Sequence, residues 1–115
     1  MSGIVLYGKT VKVFYGKTGE VISGDGEVNF ELTYYILKNN IEVNEIKTDT
    51  YGVEIKKSNL DGVEIESESV IDISLNLREV ETLANRLIDG KALPEELHDI
   101  AIDYVEEISC VVDAS

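Results

Sequence analysis

The apolar residues of this chain change their spacing near residue 75, and that change limits the folds open to it. Before it they recur at every second residue; after it they recur every three to four. The first spacing belongs to strands, whose side chains alternate between faces, and the second to helices. Phe30, Leu32, Tyr34 and Ile36 fall on one side of an extended segment, with Glu31 and Thr33 on the other. Tyr35 and Leu37 interrupt the alternation, so part of this strand is expected to be covered on both faces. Val11, Val13 and Tyr15 form another short strand, with Lys12 facing away. Gly16 to Gly19, Asp25-Gly26 and Asn39-Asn40 read as turns.

The segment from Tyr51 to Ile73 reads as a hairpin. Tyr51, Val53 and Ile55 share one parity with Val63, Ile65, Ile71 and Ile73. For these odd-numbered residues to share a face, opposed residues must sum to an even number. A three-residue loop of Leu60, Asp61 and Gly62, closing the pair Asn59 and Val63, meets that condition. It puts Gly62 in the left-handed position of a G1 bulge. It also sets Lys56 opposite Glu66 and Glu54 opposite Glu68.

Two helices follow. Asn76, with Glu79 in the capping-box position, starts the first; Ser74 is the alternative cap. Its stripe is Leu77, Val80, Leu83, Ala84, Leu87 and Ile88, and Gly90 is expected at the left-handed position after its end. Pro94 opens the second helix, with Glu95 and Glu96 at the positive end of its dipole. The second stripe is Leu97, Ile100, Ala101, Tyr104, Val105 and Ile108. The connection is short enough to make the helices antiparallel neighbours. Each must cover its stripe, and the odd-numbered face of the sheet is the available surface. The chain therefore predicts one α+β domain over residues 1–115. An antiparallel meander sheet over 1–73 is followed by a C-terminal helical hairpin over 76–109, packed on one sheet face.

Several segments carry a resemblance: Leu32-Thr33-Tyr34-Tyr35-Ile36-Leu37, Tyr51-Gly52-Val53-Glu54-Ile55, Ile71-Asp72-Ile73-Ser74, and Leu93-Pro94-Glu95-Glu96-Leu97-His98-Asp99, ending in Asp103-Tyr104. Together, over about residues 28–108, they resemble a family of small uncharacterised proteins of clostridia-like Gram-positive bacteria, known only as a domain of unknown function. The family pattern has Thr before the helix-starting Pro, where Leu93 stands here. The resemblance implies a small cytoplasmic bacterial protein and transfers no catalytic residues.

Composition excludes most chemistries. One cysteine allows no intrachain disulfide, and one histidine allows no His-rich metal site. Cys110 has Glu106, Glu107 and Asp113 as its nearest charges, which disfavour a thiolate, so it reads as a packing residue. His98 lies at the edge of the second stripe with no partner or pocket evident, and reads as a partly exposed helix residue. Tyr15, Tyr34, Tyr51 and Tyr104 fall on apolar faces and read as core residues rather than a base-stacking platform. No catalytic residue, metal ligand or cofactor site is expected, and the chain does not read as an enzyme. The N-terminus lacks a secretory pattern, and no apolar run approaches the length of a membrane helix. A cytoplasmic location is the expectation.

The charge is distinctive. The net charge is −13, and residues 59–115 hold 15 acidic and 3 basic residues against 8 and 7 in residues 1–58. Such a chain is not expected to bind nucleic acid or a membrane surface directly, since both need clustered Lys and Arg. Glu95, Asp99, Asp103 and Glu106, with Glu96 and Glu107, fall off the stripe of the second helix. A solvated face that aids solubility is the plainer account of them. The functional account is a docking face for a protein partner with a basic surface. Ile102 sits about 140° around that helix from Leu97, outside the buried arc, and is the candidate apolar anchor. Self-association into a homodimer through Ile102 is one form such docking takes. The expected function is thus a small acidic binding or regulatory protein acting through its helical surface. One alternative is a nucleic-acid-mimicking inhibitor of a basic nucleic-acid-binding protein, such as a phage-type antagonist of a defence system. Another is a small-molecule-binding domain with a pocket between sheet and helices.

Overall fold

The computed structural model describes residues 5–22 and 29–113, with side chains for 10–22 and 29–108. The expected turn at Asp25-Gly26 and the side chains of Tyr7 and Cys110 lie outside these. Strands β1 (Val5–Lys17), β2 (Val21–Ile22), β3 (Asn29–Val43), β4 (Ile46–Asn59) and β5 (Glu64–Ser74) precede the helical part. Helix α1 (Leu77–Asp89), a 3-10 turn (Pro94–Glu96) and helix α2 (Leu97–Asp113) complete the chain. The sheet is antiparallel in the order β1-β3-β4-β5, with the short β2 also on β3. This is the expected α+β meander with two helices after it.

Even-numbered residues of β3 share a face with odd-numbered residues of β4, as in Tyr34 opposite Ile55 and Ile36 opposite Val53. That face meets Val80, Leu83, Ala84 and Leu87 of α1 and Leu97, Ala101 and Tyr104 of α2. Leu83, Leu87 and Leu97 are fully buried, and each contributes roughly 2 kcal/mol of burial free energy. Three tyrosines tie the layers together through their hydroxyls. Tyr34 donates to Ala92 O at 3.0 Å, Tyr104 to Glu79 O at 2.7 Å, and Tyr15 to Asn85 Oδ1 at 3.1 Å.

The helices cover only part of the sheet. A strand of 15 residues, as in β3, is roughly 50 Å long, whereas helices of 13 and 17 residues are roughly 20 and 26 Å long. The molecule measures 55 × 34 × 21 Å. The β4–β5 hairpin tip therefore projects past the helices, and every residue from Glu64 to Ser69 is exposed.

This geometry corrects the expected register. The loop itself is as read: Asn59 N donates to Val63 O, and Gly62 has φ +88°. Ser58 then opposes Glu64, but Lys57 opposes Glu66, leaving Ile65 as an extra residue. That bulge moves Glu66 from Lys56 to Lys57 and sets Glu54 against Ser69 rather than Glu68. A second irregularity sets Ile71, Asp72 and Ile73 against Gly52 alone. Val63, Ile65 and Ile71 are exposed, and of the four odd-numbered residues on β5's side only Ile73 joins the core.

Other turns also moved. Asn39-Asn40 lies within β3, and the β3–β4 turn is Asn44-Glu45, both left-handed at φ 52° and 68°. Gly16 and Lys17 still belong to β1. The capping box of α1 is relayed: Asn76 Oδ1 accepts from Arg78 N at 3.0 Å, while Glu79 accepts from the Ser74 hydroxyl, which itself accepts from Asn76 N. Pro94 opens a 3-10 turn rather than α2 itself. Leu93 cannot cap with its side chain, so Glu96 reaches back to accept from Leu93 N at 2.9 Å.

Gly90 is not left-handed; its φ is −89°, and Lys91 takes the positive φ of 51°. Lys91 N donates to Ile88 O and Ala92 N to Leu87 O, which makes Lys91 the C′ residue of a Schellman ending. A left-handed residue with a Cβ is strained by roughly 1–2 kcal/mol. Lys91→Gly is therefore expected to stabilise the fold by about 1 kcal/mol, seen as a higher melting temperature. An unchanged or lower melting temperature would refute the assignment.

Candidate functional site

The site residues expected from the helix face do not all meet. Glu95, Asp99, Ile102, Asp103 and Glu106 are all exposed. Asp99, Ile102 and Glu106 follow at three- and four-residue intervals and so run along one side of α2. Ile102, 57% exposed, and Glu106 line a groove of about 240 Å³ between α2 and β5. Asp103 instead lines a cleft of about 160 Å³ between α1 and α2, beside Arg86 and Glu107. Glu95 lies on the 3-10 turn and borders neither hollow. Among the described residues, none of Glu95, Asp99, Asp103 and Glu106 takes part in an ion pair.

The floor and walls of the α2–β5 groove are apolar: Val70, Ile71, Ile73, Ala101, Ile102 and Val105. Asp72, His98 and Glu106 stand among them as its polar lining. Val105, expected in the buried stripe, is exposed on this side, because α2 overhangs the edge of the sheet. Ile71 reaches the groove through the bulge opposite Gly52. There β5 crowds β4 so closely that a Cβ on Gly52 would stand 2.1 Å from Val70 O. The bulge thus turns Ile73 into the core while leaving Ile71 and Asp72 at the rim.

His98 bridges the two walls, with Nε2 3.2 Å from Glu68 Oε1. The bond from His98 holds the Glu68 carboxyl below the usual carboxylate range, helped by the Ser69 backbone N–H. Both side chains are about half exposed, so the pair adds little stability. On the far side of α2, Arg86 forms a fork to Glu107 at 3.0 and 3.2 Å and covers the Tyr104 ring at 5.1 Å. Glu107 is therefore a helix-pairing residue, with its carboxyl held low by Arg86. Among the described residues no three of His, Cys, Asp and Glu gather to hold a metal ion, and no helix is long and apolar enough to cross a membrane.

Strand β5 is the part of the site that sequence reasoning missed. Its Glu64, Glu66 and Glu68 extend the acidic surface of α2 onto the sheet edge. A signal was present: from Glu64 to Ser69 the only apolar residue is Ile65, too few for a strand with a buried face.

A family model described as a family of unknown function (DUF6514) matches residues 17–107, and the chain belongs to that family. No curated protein and no solved structure matches it.

Proposed function

We propose that this member of the DUF6514 family is a non-enzymatic binding protein that docks a basic partner protein on the groove between α2 and β5. The observation that carries the reading is Ile102: a large apolar side chain, more than half exposed, on the lip of an apolar groove, with Asp99 and Glu106 on the same side of α2 and in no ion pair among the described residues. The matching ligand is a large apolar side chain flanked by Lys or Arg. The apolar group would displace water from Val70, Ile71 and Val105, and the cations would meet Asp99 and Glu106. The charges would chiefly speed encounter and make binding salt-sensitive, while the apolar contact would set the lifetime of the complex. The bacterial, cytoplasmic setting implied by the sequence resemblance accompanies this reading. An inhibitor that imitates nucleic acid would be the special case in which the partner's basic surface is its nucleic-acid groove.

The test is a selection of displayed random peptides on the immobilised protein. Enriched peptides are expected to carry Lys or Arg beside a large apolar residue. Ile102→Glu should weaken their binding by at least about 20-fold, as loss of an interface anchor does, while leaving the melting temperature within about 2 °C. Peptides without basic enrichment, or peptides bound equally by Ile102→Glu, would overturn the proposal.

A further inference from the structure

The groove between α2 and β5 opens onto an unpaired sheet edge. Strand β5 ends the strand order, and among the described residues no strand pairs with its outer side. From Glu66 to Val70 its register to β4 is regular, between an irregularity on either side. Strand β4 settles which way these residues face. Val70 opposes Val53 and Glu68 opposes Ile55, and both partners are core residues under the helices. Val70, Glu68 and Glu66 therefore form one row on the helix side, while Ser69 and Ser67 lie on the other face. Lys57, the cross-strand neighbour of Glu66, turns instead over the Phe30 ring, with Nζ 4.4 Å from its centre. Glu66 takes part in no ion pair among the described residues. At the other end of the row Val70 lines the groove, together with Ile102 and Val105 of α2.

We propose that the partner docks as an added strand: an extended segment pairs antiparallel with β5 over Glu66–Val70, with a large apolar residue opposite Val70 and Lys or Arg opposite Glu68 and Glu66. This rests on the basic-partner reading of the groove and specifies the shape of what enters it. An antiparallel strand meets Val70 first, so from its N-terminus the segment runs apolar-x-basic-x-basic. Such a strand lies about 4.8 Å from β5 and alternates its side chains between faces. Its apolar residue would enter the groove beside Ile102 and Val105, and its two cations would stand beside the glutamates. Alternate residues of the segment would turn their N–H and C=O groups to the free edge.

Spacing and charge select this occupant. A helical ligand presents its cations three or four residues apart, whereas the acceptors on β5 recur at every second residue. Charged side chains on an edge guard it against indiscriminate pairing. Here both charges of the row are negative, so two β5 edges would bring glutamates together, and a segment with cations at the same spacing is the one admitted. His98 already meets Glu68 from α2 at 3.2 Å, so the middle cation shares that carboxylate and Glu66 carries more of the selection.

The test is a titration of the labelled protein, followed by nuclear magnetic resonance, with the peptide acetyl-Thr-Leu-Thr-Arg-Thr-Arg-Thr-amide. The control, acetyl-Thr-Thr-Arg-Leu-Arg-Thr-Thr-amide, keeps an apolar residue flanked by cations but cannot place all three in one row. It should bind at least about tenfold more weakly. N-methylation of one alternate set of the first peptide's amides should weaken binding at least about tenfold, and of the other set by less than about twofold. Glu66→Lys should weaken the first peptide about fivefold with an unchanged thermal melt. It should recover affinity for the peptide whose second Arg is replaced by Glu, and not for the one whose first Arg is replaced. Equal binding of the two peptides, equal effects of the two methylated sets, or recovery without regard to register would overturn the added strand. So would no binding of the first peptide at about 1 mM, or a dimer of the protein itself whose dissociation on dilution shifts residues 66–70, which would assign the edge to a second copy. The basic-partner reading is judged separately, by the peptide selection and Ile102→Glu.

Discussion

Gly52→Ala is expected to destabilise the protein by about 3 kcal/mol or more, a large share of the 5–15 kcal/mol typical of a domain. The added Cβ would lie 2.1 Å from Val70 O and 2.8 Å from Ile71 Cα. Both are backbone atoms of β5, so no side-chain rotation relieves the overlap. Strand β5 would have to withdraw, taking Ile73 from the core and Ile71 and Asp72 from the groove. A urea titration measures the loss. Hydrogen exchange locates it, with protection expected to fall in residues 64–74 before it falls in β3. Gly19→Ala is the control, since nothing among the described residues lies within 4 Å of its Cβ position, and it should change stability by less than about 0.5 kcal/mol. A Gly52→Ala protein as stable as wild type would show that the strands do not approach in this way.

Tyr34→Ala is expected to cost about 3–5 kcal/mol, and Tyr34→Phe about 1–3 kcal/mol. Tyr34 is 1% exposed, and its ring fills the middle of the sheet face under the helices. Its hydroxyl binds Ala92 O, within the link between α1 and α2. Removing the ring opens a cavity; removing only the hydroxyl leaves that carbonyl without its donor. Burial, with a smaller contribution from Glu96, pushes the phenol well above its ordinary value of 10.0. The neutral form is therefore the folded form. Below pH 10 the phenol is protonated in both states and its stabilisation is complete. As pH rises past 10 the unfolded chain ionises first, and stability falls. Tyr34→Phe should flatten that alkaline decline, read from melts between about pH 8 and 11. An equally steep decline in both proteins would contradict the burial of this hydroxyl.

The core was legible in the sequence because parity and helical spacing are properties of composition along the chain. Phe30, Leu32, Tyr34 and Ile36, and the two helical stripes, one through Leu83 and Leu87 and the other through Leu97, needed only their positions to be assigned. Backbone irregularities were not legible. An inserted residue such as Ile65 has no side-chain signature, yet it reverses the facing of everything beyond it. Left-handed Lys91 and Glu45 went unseen for a related reason: glycine and asparagine mark such positions, and here a helix ending and a two-residue hairpin turn place other residues there. Asn39 shows the converse. Its type suggested a turn, but it lies buried in β3, and neither of its amide atoms has a hydrogen-bond partner among the described residues. Of the site, Ile102 and Glu106 were readable from α2 alone. The contribution of β5 depended on its two bulges and on the sheet outrunning the helices.

The two edges of the sheet give the molecule its polarity. One ends in β5, where carboxylates and an overhanging helix frame an apolar groove. The other ends in β1, which is basic and apolar. At physiological ionic strength charges act over about 8 Å, so each edge presents largely its own potential to an approaching protein. The ligand proposed for the groove combines an apolar group with nearby cations, because either alone would use half of the surface. The direct test is nuclear magnetic resonance of the labelled protein titrated with the strongest selected peptide. The account predicts shifts concentrated in residues 64–73 and 98–106, fading as salt is raised and absent in Ile102→Glu. Shifts spread evenly over the molecule, or centred on the Arg86–Glu107 side of α2, would contradict it.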